Sequence, residues 1–262
     1  MARTYQTSSE IIALLREADS EQFAVLERSL KADTRKTVRV AVDRAQRRLE
    51  NEQAEKERVN ALYQFESELS HGGVSVGLDE VGRGPLAGPL TVGAVVLPAN
   101  DPIYGINDSK QLSPQRREVL AASIKEHAIA WSVQHIEPDR IDAAGMTASL
   151  RVAFKRAIRA IEDQGISIDT VLLDGNPLHM DNREISIVHG DARVASISCA
   201  SIIAKVTRDA LMVEYAKTYP EYGFDRNKGY GSKEHCDAIA QYGLSPIHRV
   251  SFCESLAQNS LF

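Results

Sequence analysis

All sixteen glycines and all nine prolines of this 262-residue chain lie beyond residue 70. A long opening stretch without either residue, rich in Glu, Arg, Ala, Leu and Gln, contains nothing that imposes a turn. Its apolar residues recur at helical spacing, as in Ile11, Leu14, Leu15 and Phe23, Leu26. Residues 8 to about 69 therefore read as a helical arm. Ser8 or Ser9 is expected to cap its first helix and Asp33 a long later one, since short polar side chains accept the free N–H groups of a helix start. At His71-Gly72-Gly73 both composition and period change.

Beyond that boundary the pattern is strand-like. Val74, Val76 and Leu78 alternate into Asp79, and residues 90–97 and 129–136 read as the next two strands. Their short links predict antiparallel neighbours. Ser113-Pro114 opens a helix to about residue 127, because proline's missing N–H is harmless in a first turn. A second helix follows Pro138 and runs, with a break near Gly145, to about residue 163. Residues 168–173 and 184–188 read as further strands, each ending near an acid. The helix expected over 194–217 is rich in small residues (Ala195, Ser196, Ser198, Ala200, Ser201, Ala204), which permits close packing on a sheet or close approach of a ligand. Strands followed by alternating helix and strand give an α/β fold, a mixed sheet covered by helices. There is no internal repeat and no low-complexity tract. The expected organisation is a helical arm or small domain over 1–70, a catalytic domain over 71–250 and a tail over 251–262.

With 43% hydrophobic and 26% charged residues the chain has the makeup of a globular protein. Apolar runs such as 92–97 fall far short of the roughly 20 residues that span a bilayer, and residues 1–6 hold no apolar signal core. A cytoplasmic protein without membrane attachment is expected. Cys199, Cys236 and Cys253 are odd in number and widely spaced, which argues against a disulfide framework or structural zinc. The formal charge of −5 excludes a wholly basic nucleic-acid binder but hides local patches. One such patch lies in residues 31–48, with seven basic residues against two acids. Phosphate contacts are expected from it.

Four acids stand apart from the rest. Asp79-Glu80 ends an alternating strand and precedes Val81-Gly82-Arg83-Gly84-Pro85-Leu86-Ala87-Gly88-Pro89; Asp174 ends the run Val171-Leu172-Leu173; Asp191 precedes a helix. If the strands ending in Asp79 and Asp174 lie side by side, their carboxylates meet at one sheet edge. Like charges that close resist joint ionisation unless a cation neutralises them. Hard oxygen ligands suit Mg²⁺ or Mn²⁺ rather than zinc. Two such ions roughly 4 Å apart would activate a water and stabilise the leaving oxygen of a phosphodiester. His179, His189 and His235 are not assigned to metal, because imidazole matches such a site poorly.

The segment Gly77–Pro89 resembles the N-terminal signature of bacterial ribonuclease HII. The likeness continues through Asp108-Ser109-Lys110, Leu173-Asp174-Gly175, Gly190-Asp191-Ala192, the run from Ala200 to Asp209, and Lys228-Gly229-Tyr230-Gly231-Ser232-Lys233-Glu234-His235. It covers roughly residues 74–250 in the family's order. Type III enzymes lack the Gly-Arg-Gly form, which places the chain in type II. The resemblance implies a ribonuclease H-like, five-stranded mixed sheet with an N-terminal helical extension. It implies Asp79, Glu80, Asp174 and Asp191 as catalytic metal ligands. The expected activity is hydrolysis of the RNA strand of RNA/DNA hybrids and incision 5′ of ribonucleotides embedded in duplex DNA, leaving 5′-phosphate and 3′-hydroxyl ends by two-metal catalysis, with the protein acting as a monomer.

Glycines lack a Cβ, so the backbone of Gly82-Arg83-Gly84 can approach a ligand directly. The group that separates RNA from DNA is the ribose 2′-OH. The resemblance implies that this loop reads the hydroxyl, that Tyr230 packs on the next sugar, and that Ser109, Lys110, Ser201 and Lys205 contact phosphates. The alternatives are another nuclease of the same fold, such as a resolvase or type III ribonuclease H, and an inactive hybrid-binding module. Finally, Gln258-Asn259-Ser260-Leu261-Phe262 resembles the short peptides that bacterial repair proteins insert into the sliding clamp. A partner interaction through Gln258, Ser260, Leu261 and Phe262 is therefore expected.

Overall fold

The computed structural model describes residues 7–258. The chain divides into two compact units, Met1–Arg58 and Val59–Phe262. That division falls twelve residues before the glycine-marked boundary, because the last turns of a long helix carry Val59 and Leu62 into the core of the second unit.

The first unit contains α1 (Ser8–Glu17), α2 (Ser20–Leu30) and most of α3 (Lys36–Leu69). Thr7, not Ser8 or Ser9, caps α1: its hydroxyl accepts the Glu10 N–H while the Glu10 carboxylate accepts the Thr7 N–H. Asp19 and Gln22 repeat the device for α2. Asp33 accepts the Arg35 N–H and pairs with the Arg35 guanidinium in the turn before α3, so it braces the turn. The apolar faces meet in a small core of Ile11, Leu15, Ala18, Phe23, Val38 and Ala45.

In the second unit, β1 (Ser75–Val81), β2 (Leu90–Val96), β3 (Ala130–Ile136), β4 (Thr170–Asp174) and β5 (Glu184–Ile187) form one sheet in the order β3-β2-β1-β4-β5. The first three strands form an antiparallel meander, in which the link from β1 to β2 is short, as expected, whereas that from β2 to β3 is long and holds the helix over 114–127; β4 and β5 add in parallel to β1. The helices are α4 (Pro114–His127), α5 (Pro138–Ala144), α6 (Met146–Glu162), α7 (Ala195–Thr218), α8 (Phe224–Asn227), α9 (Lys233–Tyr242) and α10 (Val250–Gln258). Ser113 caps α4, and Gly145 at φ +80° separates α5 from α6.

Side-chain alternation assigns the two faces of the sheet. Val76, Leu78, Val92, Ala94, Val171 and Leu173 pack on one side, where α6 supplies Leu150, Phe154, Ala157 and Ile161. On the other side lies α7, whose small residues serve the sheet. A Cβ on Gly77 would stand well under 3.0 Å from backbone atoms of Ser196 and Ile197, and one on Gly93 would strike the Ala200 carbonyl. The helix therefore sits close on β1 and β2, which fixes everything it carries relative to the strand ends. The three cysteines are unpaired, Cys199 and Cys253 buried. The expected tail begins later than residue 251, since 250–258 are helical and Cys253 packs in the core around Phe224 and Tyr222. Ser260, Leu261 and Phe262 lie outside the described residues.

Candidate active site

Asp79 and Glu80 occupy the C-terminal end of β1, and Asp174 ends β4. The parallel register pairs Leu78 with Leu173, so one step further along each strand sets Asp79 beside Asp174. Asp191 stands in the 3₁₀ turn Gly190–Ala192 between β5 and α7. Asp174 Oδ1 accepts the Gly190 N–H at 2.7 Å, which ties that turn to the strand end. His189 just before it adopts φ 56°, and a Cβ on Gly190 would meet Ile197 and Asp174, so the turn has little room to move.

The electrostatics follow from this convergence. Burial pushes the Asp79 carboxyl well above the ordinary range, and repulsion from Glu80 and Asp174 pushes it further; bonds from the Ser201 hydroxyl and the Glu80 N–H ease part of that. Glu80 is raised by burial and Asp174, and lowered by Arg83, whose guanidinium lies 3.1 Å from Glu80 Oε1. Asp191 is raised by burial, then by Asp174 and Asp108, with Lys110 acting against them. All four acids thus share one field of mutual repulsion. Among the described residues no three His, Cys, Asp or Glu side chains are gathered closely enough to hold one ion. Asp79, Glu80 and Asp174 are each held by protein donors instead.

The donor set nevertheless fits a hard divalent cation: carboxylate oxygens only, partly desolvated, with excess negative charge at a strand edge. The other sequence-derived residues divide by position. Gly82 is buried with φ +88°, and a Cβ there would collide with Arg208 Nε and lie 2.8 Å from the Pro89 carbonyl. Its glycine is required by the protein's own packing. Gly84 is exposed, its φ is outside the left-handed range, and a Cβ on it would meet nothing within 4 Å. Tyr230 is 43% exposed, which rules out a core role for its ring. Lys110 is exposed and Arg83 projects outward from its pair with Glu80.

Ser109 and Ser201 are buried and hydrogen-bonded to each other at 3.0 Å, and the Ser201 hydroxyl lies near enough to Asp79 to ease the upward push on its carboxyl. Lys205 is half-buried in an ion pair with Asp209 at 2.7 Å. His235 is buried, and both its ring nitrogens are engaged, one with His248 and one with the Tyr230 carbonyl.

Sequence reasoning missed Arg208, His248 and Arg249, all buried beneath the glycine loops. A signal existed for Arg208. Ser196, Ala200, Ala204, Arg208 and Met212 follow one another at steps of four, so an arginine stands in the row that faces the sheet.

Comparison with known proteins agrees with this geometry. The family model described as ribonuclease HII matches residues 76–255, and that of the ribonuclease HII N-terminal domain matches residues 7–70. A ribonuclease HII of Clostridium acetobutylicum is 43% identical over 253 residues, covering 94% of this chain and 98% of the relative. One from Bacillus licheniformis is 42% identical over 248 residues, covering 94% and 96%. Among solved structures, the ribonuclease H2 of Pyrococcus horikoshii OT3 superposes with a TM-score of 0.61 at 27% identity, covering 71% of this chain and 98% of that one. With matches across both units and a site edge lined by acids, the chain belongs to the ribonuclease HII family of hydrolytic endoribonucleases.

Proposed function

We propose that the protein hydrolyses the RNA strand of RNA/DNA hybrids and incises duplex DNA on the 5′ side of embedded ribonucleotides, leaving 5′-phosphate and 3′-hydroxyl ends. What supports this reading is the placement of Asp79 and Asp174 on neighbouring parallel strands, with Glu80 next along β1 and Asp191 in the turn tied to Asp174, together with an exposed glycine that has open space in front of it. These four carboxylates would hold Mg²⁺ or Mn²⁺; a type III ribonuclease H of the same fold has been solved in complex with Mn²⁺, with a TM-score of 0.60 at 17% identity. When bound, two such ions polarise the attacking water and neutralise the leaving 3′ oxygen.

The chain's own residues prepare that chemistry. The Glu80 N–H fixes the Asp79 carboxylate, with the Ser201 hydroxyl nearby, and the Gly190 N–H fixes that of Asp174, so these two acids are oriented before substrate arrives. Ser109 acts one step back, through Ser201. Arg83 neutralises Glu80 in the free protein and is exposed enough to turn toward a phosphate. The exposed Lys110 adds positive charge beside Asp191, and Lys205 contributes a second cation from α7. The backbone of Gly82, Arg83 and Gly84 reads the ribose 2′-OH, with Gly84 making the closest approach, and the Tyr230 ring packs on the neighbouring sugar. Exposed basic residues of the first unit, Lys31, Arg39, Arg44 and Arg47, add phosphate contacts.

The C-terminal residues Gln258, Ser260, Leu261 and Phe262 bind the sliding clamp. Support comes from the motif and from an Archaeoglobus fulgidus ribonuclease HII solved as a complex with PCNA, similar in fold at 22% identity and a TM-score of 0.59.

The deciding experiment is incubation with duplex DNA containing a single ribonucleotide, with chelator, Mg²⁺ or Mn²⁺, followed by end mapping. Metal-dependent cleavage at the ribonucleotide alone is expected. Equal cleavage of an all-DNA duplex, or cleavage in chelator, would overturn the proposal.

A further inference from the structure

Two arginines beneath the site are wholly buried, and among the described residues neither has a carboxylate within ion-pair distance. Arg208 on α7 donates to the carbonyls of Pro89 (2.9 Å), Ala87 (3.1 Å) and Lys228 (2.9 Å). Arg249, just before α10, donates to the carbonyls of Gly82 (2.6 Å), Arg83 (3.0 Å) and Gly88 (2.8 and 3.1 Å). Every acceptor is a main-chain oxygen, and every one lies in or beside the two glycine loops that flank the acids. Burying a guanidinium without a counter-charge is costly, and apolar residues could fill the same volume at less expense. What apolar residues cannot do is hold several carbonyls in fixed directions, which the planar fork of arginine does.

The same C-terminal segment joins the two loops. The Gly88 N–H donates to Ile247, the Arg249 N–H donates to Leu86, and the Leu86 N–H donates to Gly229 of the second loop. His248 completes the link. Its Nδ1 accepts the Ser245 N–H, so its Nε2 carries the hydrogen donated to His235 Nε2 at 3.0 Å, and His235 Nδ1–H donates in turn to the Tyr230 carbonyl at 2.8 Å. With its carbonyls turned inward onto the guanidiniums, the Gly82–Pro89 loop presents its outer edge at Gly84 in one defined shape.

We propose that Arg208 and Arg249 are positioning residues for sugar selection: they lock the Gly82–Pro89 loop and bind it to the Tyr230 loop, so that the two loops measure a ribonucleotide and its neighbouring sugar as one rigid unit. This rests on the proposed role of those loops in reading ribose. Burial lowers the pKa of both groups, Arg249 to about 10 with Arg208 nearby adding to the effect, so Arg249 remains charged at neutral pH.

The test replaces Arg249 and, in parallel, Arg208 by lysine in the full chain, keeping the charge while losing the fork. For each protein kcat/KM is measured on a duplex with a single ribonucleotide and on a long RNA/DNA hybrid, which offers many registers. The ratio of the two is the readout, because partial unfolding scales both rates equally and leaves it unchanged. Arg249→Lys is expected to lower the ratio at least tenfold, and Arg208→Lys severalfold, with the Mn²⁺ affinity of the metal-titrated protein changed less than twofold. A wild-type ratio in both variants would overturn the proposal, whatever happens to overall rate or melting temperature. If the wild-type protein itself does not discriminate ribonucleotide-containing from all-DNA duplex, the failure belongs to the proposed function.

Discussion

Replacing Gly82 and Gly84 separately by alanine distinguishes two reasons for the same residue type. At Gly84 the added methyl meets nothing within 4 Å and φ is outside the left-handed range. Stability should then rise by about 0.4–1 kcal/mol through the reduced freedom of the unfolded chain. If the backbone at Gly84 touches the substrate, that methyl occupies the space the sugar needs, and overpacking of this kind costs about 1–3 kcal/mol. At about 1.4 kcal/mol per factor of ten, kcat/KM on a single-ribonucleotide duplex should fall about 5- to 150-fold. At Gly82 the methyl collides with Arg208 and faces φ +88°, so about 1–2 kcal/mol of backbone strain adds to the clash and the fold itself should weaken. Thermal melts and steady-state cleavage of both variants make the comparison. A Gly84→Ala protein with normal kcat/KM would show that no substrate approaches there, and a lowered melting temperature would refute the claim of open space.

Asp79→Asn should abolish cleavage by at least a hundredfold. It should also raise the melting temperature in chelator, because a carboxyl whose pKa is raised on folding costs stability once pH exceeds its unfolded value; each kcal/mol regained is about 2–4 °C in a domain of this size. A fall in both quantities would make Asp79 a structural residue. His248 has the opposite sign: burial and His235 lower its pKa from 6.5 to about 4, so its stabilising neutrality is complete above pH 6.5 and is lost as pH falls toward 4, a contribution of about 3 kcal/mol at most. Melts between pH 4.5 and 7 should show a shallower acid limb for His248→Asn than for wild type, and parallel limbs would disprove the assignment. Calorimetry against a purified sliding clamp should give a Kd of roughly micromolar for wild type. No heat is expected for Leu261→Ala with Phe262→Ala, while oligonucleotide cleavage is unchanged; identical titrations would remove the tail from clamp binding.

The sheet was legible strand by strand, from the alternation of β1 into Asp79 and from apolar runs that end in a turn signal or an acid, but link length did not give every pairing: β4 and β5 are joined by a short link and yet run parallel. Asp79 and Asp174 stood out because each follows an apolar run at a strand end, whereas the grouping of these two with Glu80 and with Asp191, which lies in a turn beyond β5, came from the family resemblance. The cap of α1 was readable but misread: Thr7, Ser8 and Ser9 are all competent, and only Glu10, three residues after Thr7, selects among them. The burial of Ser109 and Ser201 was not legible, because it depends on two segments ninety-two residues apart meeting near Asp79. Arg249 carries no local signal at all. Its acceptors lie more than one hundred and sixty residues upstream, and no period or cap in residues 245–249 points to them.

The strand order also sets a sequence of events. The meander β1-β2-β3 closes within residues 75–136 and brings Asp79 and Glu80 to one end, whereas Ser75 must find Thr170 before β4 and β5 deliver Asp174 and Asp191. Closing that long loop costs chain entropy that local hairpins do not, and parallel pairing of distant strands is correspondingly slow. Half of the acid cluster therefore depends only on the strands of residues 75–136, and the other half on a pairing across ninety-five residues. Nuclease activity becomes a report on complete folding: a chain still emerging or partly misfolded exposes DNA to no cutting edge.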